Sequence, residues 1–336
     1  MIRVGIAGLG GMGRMHAQGY AGLPNATIVA GADLEPDRRE RFASEHPGVR
    51  LYDDFRHMIE ADLDAVDICL PSYLHSEAAV AFAQVGRHIL CEKPMALTLE
   101  ECDAMIAAAE RSGTTLMVAQ VLRFYPEFLA VKEIADSGRY GKVLWASASR
   151  VGARPAWSWR GWFTDPLRSG GAVLDLHIHD IDFLSWLLGR PASVSAAGVI
   201  SPEGGLDALC TSLTGFDCGA VASARAAWLN GSGHPFLSDL IVDFERATLT
   251  HDNGVVVYPK DGGVERPEME PVTVPVDVGI NITDLAGYLV EVQYFVDCLA
   301  SGVKPDRVPP ESSRQAVEIC LAARRSVETG QPVPLP

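Results

Sequence analysis

The stretch Ile2-Arg3-Val4-Gly5-Ile6-Ala7-Gly8-Leu9-Gly10-Gly11-Met12-Gly13 decides the fold. Ile2–Ala7 is an apolar run with the length and texture of a strand buried on both faces. Gly8 to Gly13 reads G-x-G-x-x-G, and Arg14–Ala21 continues with a helical pattern. The motif alone is weak. Strand, glycine turn and helix in immediate succession make it a phosphate loop. The glycines permit a tight turn, close approach of backbone to a pyrophosphate, and close packing of helix on strand. The helix N-terminus adds unpaired N–H groups and the positive end of its dipole. Asp33 follows the next strand-like run, Thr27–Gly31, twenty residues after Gly13. An acid there accepts hydrogen bonds from ribose hydroxyls and repels a 2′-phosphate, which favours NAD; Arg38 and Arg39 close by keep NADP open.

Outward from this stretch the two periods keep alternating. Ala65–Leu70, Arg87–Cys91 and Thr115–Ala119 are further short apolar runs, with helical patterns between most of them. Thr98 and Glu101 form a capping-box signature for a helix over Thr98–Ser112, which Gly113 stops. The alternation predicts a doubly wound α/β domain with a parallel sheet over residues 1–121. The texture then changes. A strand is expected over Lys142–Val151, a loop rich in Trp, Pro and Gly over Ala153–Gly171, and one helix over Val173–Leu188. Strand-like runs follow at 192–200, 207–217, 219–228, 237–244, 247–250 and 254–258, with Asp252-Asn253-Gly254 as a hairpin turn. Residues 259–280 read as an exposed loop. Helical stripes Leu285–Leu299 and Ala316–Val327 finish the chain. Residues 122–336 therefore read as an α+β domain with a mostly antiparallel sheet.

The chain has 336 residues, 48% of them hydrophobic, with 28 basic and 43 acidic side chains, a formal charge of −15. Such a chain can bury a sizeable core and is not a disordered or disulfide-stapled one. Its charge repels phosphate backbones and anionic membranes, so neither nucleic acid nor a membrane is expected as partner. Seven cysteines are scattered with no C-x-x-C pair, which fits reduced thiols and no zinc site. No signal-peptide pattern and no run of 18 apolar residues is present, so the expected location is the cytoplasm.

Ligands of an open parallel sheet bind at the carboxyl ends of its strands. Polar residues gather there: Pro71, Ser72 and His75 after one run, Glu92-Lys93-Pro94 after the next, Gln120 and Arg123 after the last. A lysine just beyond an apolar strand is open to desolvation and catalytic use, although pairing with Glu92 on the surface is the plainer reading. A second cluster is Gly170-Gly171-Ala172-Val173-Leu174-Asp175-Leu176-His177-Ile178-His179-Asp180. On one helix Asp175 and His179 share a face, and a carboxylate beside an imidazole suits a general base. D-x-H-x-H-D also resembles the H-x-H of metal hydrolases, but the other histidines show no metal spacing. A polar helix face without chemistry is the third reading. Trp157, Trp159 and Trp162, flanked by Arg154 and Arg160, could stack on a sugar and hold a carboxylate, or pack a domain joint.

Together these motifs resemble the Gfo/Idh/MocA family of oxidoreductases along essentially the whole chain. In order they are GLGGMG with Asp33, Val66-Asp67-Ile68 leading to Pro71-Ser72-Tyr73-Leu74-His75, Glu92-Lys93-Pro94, Arg123-Phe124, Trp159-Arg160, Gly170-Gly171 with Asp175-x-x-x-His179, and Tyr288-x-x-Glu291-x-x-x-Phe295. The resemblance implies a Rossmann domain, then a domain with a large open sheet whose outer face makes homodimer or homotetramer contacts. It implies hydride transfer between NAD(P) and a carbinol carbon of a sugar, inositol or related polyol. In that pattern Lys93, Asp175 and His179 are catalytic. His179 takes the hydroxyl proton, Lys93 polarises the oxygen, and Asp175 orients them. Gly8, Gly10, Gly11, Met12, Gly13, Asp33, Pro71, Ser72, His75, Glu92 and Lys93 would hold the cofactor. Arg123, Trp159, Arg160 and His179 would meet the substrate, and no metal is expected. An NAD-using glycosidase without net redox, and a sensor of NAD and sugar, are the alternatives.

Overall fold

The computed structural model describes residues 1–155, 158–252, 254–269 and 285–336. The chain opens with β1 (Ile2–Ala7), α1 (Gly11–Ala21), β2 (Ala26–Ala32), α2 (Pro36–Glu45), β3 (Arg50–Tyr52), α3 (Phe55–Met58) and β4 (Ala65–Ile68). It continues with α4 (His75–Gln84), β5 (His88–Glu92), α5 (Leu99–Ser112) and β6 (Leu116–Ala119). These strands form one parallel sheet in the order β3-β2-β1-β4-β5-β6. The order reverses at β1 and β4, the topological switch point of a doubly wound sheet. β4 and β6 are buried at every position, as strands covered on both faces must be. α5 carries the expected capping box, and Gly113 ends it at φ 67°. Sequence reading did not find β3, a three-residue edge strand with no apolar run.

The second group of elements is α6 (Pro126–Asp136), β7 (Val143–Ala153), α7 (Pro166–Ser169), α8 (Ala172–Asp175), α9 (His177–Leu188) and β8 (Ser193–Ile200). After it come β9 (Leu206–Thr214), β10 (Val221–Asn230), β11 (Leu237–Phe244), β12 (Ala247–His251), β13 (Val255–Pro259), α10 (Ala286–Ser301), α11 (Pro310–Thr329) and β14 (Val333–Pro334). β13-β12-β11-β7-β10-β9-β8-β14 form the second sheet, antiparallel throughout except for β7 beside β10. One face is buried by alternate residues such as Leu240, Val242, Ala146, Ala148, Ala222, Ala224 and Leu213. α6 escapes the sequence reading; Pro126 sits at its N-terminus, where a missing N–H does no harm. The expected single helix Val173–Leu188 is broken at Leu176 into α8 and α9.

The chain divides into two compact units, and a single cut after residue 121 does not describe them. Met1–Phe124 and the described residues of 272–314 form the first; the described residues of 125–271 and Gln315–Pro336 form the second. α10 therefore belongs to the first unit, although sequence order had placed it in the second domain. The physical reason is its apolar stripe. Val292, Phe295 and Val296 share the core of Val4, Ile6, Ala17 and Tyr20. Gly19 on α1 lets α10 approach: a Cβ there would lie 3.2 Å from Val292 Cβ. Among the described residues no helix is long and apolar enough to cross a membrane. Trp157 and Asn253 lie outside the described residues, as does 270–280 of the expected loop.

Candidate active site

In the first unit the phosphate loop leaves β1 and enters α1 three residues earlier than the sequence suggests, at Gly11. Gly10 is the N-cap and has no side chain to cap with, so the first amides of α1 face outward with the positive helix end. Two of the glycines are required by the protein itself. A Cβ on Gly13 would sit 1.9 Å from Gly8 O, and one on Gly8 (φ 96°) 2.5 Å from Cys69 O. Gly10 is different. Its nearest neighbour to a Cβ would be the Arg38 guanidinium, 3.6 Å away, so the protein leaves open the space that a phosphate-bearing ligand needs. Asp33 follows β2 and is buried; its carboxylate accepts Leu9 N–H and Glu35 N–H, both at 2.9 Å, and meets Arg38 Nη1 at 3.3 Å. Glycine cradle, helix N-terminus and aimed acid fit a dinucleotide.

The carboxyl ends of β4 and β5 supply the next groups. Ser72 and His75 are buried. The His75 ring stands 2.8 Å from both Pro94 O and Leu70 O, which clamps the Lys93-Pro94 turn to the end of β4. Burial lowers the affinity of this imidazole for its proton, and a neutral ring donates to one carbonyl at a time. Its nitrogens thus serve the backbone. Lys93 is half-buried, and its N–H donates to Glu92 Oε2 at 2.9 Å. Arg123 is buried and donates to Arg307 O at 2.7 Å, so it braces the stretch after α10 where a substrate contact was expected.

Sequence reading missed a buried polar group beneath this loop. His16 on α1 has Nδ1 2.8 Å from Asp67 Oδ2 and Nε2 3.1 Å from Glu92 Oε1. The Tyr20 hydroxyl and the Cys69 thiol also donate to Asp67, at 3.0 and 3.3 Å. Burial disfavours an imidazolium, but the Asp67 carboxylate and its neighbours reverse that and raise His16 well above the ordinary histidine range. Ligand atoms of His16, Asp67 and Cys69 lie within 4.8 Å of one another. They are engaged with one another by hydrogen bonds, and burial keeps the thiol protonated as a donor. Only the fold brings positions 16, 67 and 92 together; no local spacing could have signalled it.

In the second unit the Gly170-Gly171 turn (φ 76° and 74°) starts α8 and α9. The break at Leu176 puts Asp175 at the end of the four-residue α8 and His179 in the first turn of the twelve-residue α9, so the single-helix argument for a shared face does not apply as made. Burial supplies a better one. From Ser169 to Asp180 every residue is buried except Asp175 and His179. His177 points inward: its Nε2 lies 2.9 Å from Thr211 Oγ1, and burial pushes its pKa down to about 3. The loop before this turn is latched to it. Ser169 Oγ donates to Phe163 O at 2.8 Å and accepts Gly171 N–H at 3.0 Å. The latched loop presents Trp159 with the Arg160 guanidinium 4.6 Å from its ring centre. Arg160 holds φ 49°, a left-handed conformation rare for a residue with a side chain and a mark of built strain.

A doubly wound parallel sheet with this glycine cradle at its switch point and an acid aimed beside it defines a dinucleotide-binding protein of the Rossmann class. Residues 2–120 match the oxidoreductase family with an NAD-binding Rossmann fold, Gfo/Idh/MocA, and residues 128–258 match the Gfo/Idh/MocA C-terminal domain. The chain belongs to this family and is an NAD(P)-dependent oxidoreductase. It is 29% identical to inositol 2-dehydrogenase of Rhizobium meliloti (strain 1021), over 97% of each chain. A putative myo-inositol dehydrogenase from Sinorhizobium meliloti 1021 superposes with a TM-score of 0.83 at 26% identity, over 100% of both chains. A levoglucosan dehydrogenase, solved with NADH and L-sorbose, does so at 0.88 and 25%, over 100% of this chain and 99% of that one.

Proposed function

We propose that this protein oxidises a secondary hydroxyl of a cyclic polyol or sugar, or reduces the matching ketone, with NAD(H) as partner. The relatives act on inositol and levoglucosan by name. The single observation that carries the chemistry is that Asp175 and His179 alone are only half-buried within an otherwise buried segment. The bound dinucleotide supplies the hydride acceptor. The imidazole of His179 takes the hydroxyl proton, Asp175 holds that ring in orientation, and the Lys93 ammonium stabilises the oxygen as negative charge develops on it. Trp159 offers an apolar face to the ring of the substrate and Arg160 a donor fork to its oxygens. Asp33, aimed by Leu9 and Glu35, sets the preference for NAD over NADP.

A panel of inositols, aldoses, uronates and sugar lactones with NAD⁺ and NADP⁺, read by nicotinamide absorbance, tests this reading. Oxidation of none of them sinks it; tight NAD released on denaturation without net reduction would point to the redox-neutral glycosidase instead. Asp33→Ser should shift preference toward NADP⁺, and an unchanged preference moves the discrimination to Arg38.

We also assign the outer face of the second sheet to self-association. Asp239, Ser149, Arg225, Cys210 and Ala197 lie in one cross-strand row, and Ile241, Ser147, Ser223, Ser212 and Ser195 in the next. Small side chains make this face flat, and exposed Trp145, Leu229, Leu237, Ile241 and Val199 make it apolar. Light scattering on Ile241→Lys should show a smaller particle than the parent. Reduced, unpaired cysteines fit a cytoplasmic location.

A further inference from the structure

The buried group around His16 is not used by the chemistry above, yet it joins the two parts of the first unit that the chemistry needs. One end is α1, whose first amides would receive the phosphates of a bound dinucleotide. The other is the turn that carries Lys93. Between them, the His16 ring is fully buried and in contact with carboxylates on two different strands, Asp67 at 2.8 Å and Glu92 at 3.1 Å. The Asp67 contact is a hydrogen bond; the Glu92 contact is an ion pair off the line of one. The second oxygen of Glu92 then accepts the Lys93 N–H at 2.9 Å. The two carboxylates flank opposite nitrogens of one ring, and without a positive group between them each would be a buried charge lacking this partner. A hydrophobic residue at position 16 would fill the volume and leave Glu92 free to turn.

We propose that His16 is a positioning residue for the reaction: through Glu92 it fixes the backbone of the Lys93 turn, and so ties the placement of the lysine to the helix that receives the dinucleotide phosphates. The proposal rests on the reading of Lys93 as catalytic, but its structural half does not. His16→Gln keeps the volume and a donor to Asp67 while removing the charge opposite Glu92. A misplacement of about 1 Å at a catalytic group lowers turnover by about a hundredfold. His16→Gln should therefore lower kcat by about ten- to a hundredfold with the KM for substrate and for NAD⁺ about unchanged. Glu92→Gln should do the same. Because both act through one contact, the double variant should be no worse than the poorer single one.

Hydrogen exchange supplies the independent arm. The Lys93 amide should exchange faster in His16→Gln than in the parent, while amides of β9 and β10 in the other unit keep their rates. Tyr20→Phe, which removes a different hydrogen bond to Asp67, should leave kcat about where it was. Multiplicative losses in the double variant, a loss seen in KM in place of kcat, or an unchanged Lys93 amide each overturn the proposal. If Lys93→Met leaves kcat intact, the reading of the lysine has failed, and the exchange result alone then decides whether His16 holds the turn. Should His16→Gln not fold, Glu92→Gln carries both readouts.

Discussion

The two glycine turns of this molecule start helices that carry the histidines, and they are built for different reasons. Gly8 and Gly13 are glycines because backbone meets backbone; a Cβ would fall within 2.5 Å of a carbonyl oxygen at either. Gly170 and Gly171 hold φ 76° and 74°, and a Cβ on Gly170 would meet the buried Leu174 side chain, its Cδ1 at 2.5 Å and its Cβ at 2.7 Å, not a carbonyl oxygen. The first turn feeds an unbroken eleven-residue helix, the second a four-residue piece and a break. The buried histidines then diverge. His16 and His177 are both fully shielded from solvent. Carboxylates on both sides make His16 a cation, whereas His177, with Thr211 as its hydrogen-bonding partner, is a neutral ring. Burial alone expels charge; burial among opposite charges retains it. The backbone-bound turn and the charged histidine lie on the helix proposed to receive the cofactor. The second turn leads into a segment in which Asp175 and His179, the residues proposed to act on the substrate, are the two that are only half-buried.

The sharpest test of that contrast is at the second turn. His179→Ala should reduce kcat by about 10²–10⁴ while NADH binding, followed by fluorescence, persists. Parent-like turnover would take the general base away from this segment. Next come the glycines themselves. Gly13→Ala should destabilise the fold by more than about 4 kcal/mol, the range reserved for unavoidable backbone clashes. Gly170→Ala should cost less: a left-handed penalty of about 1–2 kcal/mol plus the displacement of Leu174. Urea midpoints that move equally would erase the distinction drawn between the turns.

The histidines predict opposite pH dependences. His177 titrates near 3 when folded and near 6.5 when unfolded, so its share of stability is whole above pH 6.5 and is lost as pH falls toward 3. The slope approaches about 1.4 kcal/mol per pH unit. His177→Gln should flatten this acid limb in denaturation series between pH 6.5 and 4. His16 is raised when folded, so what it contributes is whole below its ordinary pKa and is lost as pH climbs toward the raised value. The smallest effect is at Gly10. Gly10→Ala should weaken NADH binding at least about tenfold, roughly 1.4 kcal/mol, with the urea midpoint almost unmoved, since the protein itself leaves that space open. A lowered midpoint with normal binding would make it a packing glycine like Gly13.

Much of this architecture was legible in the chain. The phosphate loop, Asp33, the capping box at Thr98 and the antiparallel character of the second sheet are local patterns, and local patterns survive in a linear reading. What escaped reading had weak local signals or none at all. β3 is three residues at an edge. α10 looks like any amphipathic helix, and nothing in its stripe says that its partner is Gly19, far away in sequence. The break at Leu176 is invisible because Val173–Leu188 is apolar enough to continue as one helix. The partners of the inward histidines were likewise out of reach of a linear reading. His75, next to the expected cofactor residues, turns both ring nitrogens to carbonyls, and His16 sits in what reads as an ordinary helix.

Periodicity, glycine spacing and the order of the polar motifs thus carried the class of fold and the kind of reaction, because each depends on residues close together along the chain. The electrical state of a buried side chain depends on what packs against it in space. Whether position 16 holds a cation or position 177 a neutral ring became definite once strands and helices distant in sequence had closed around them.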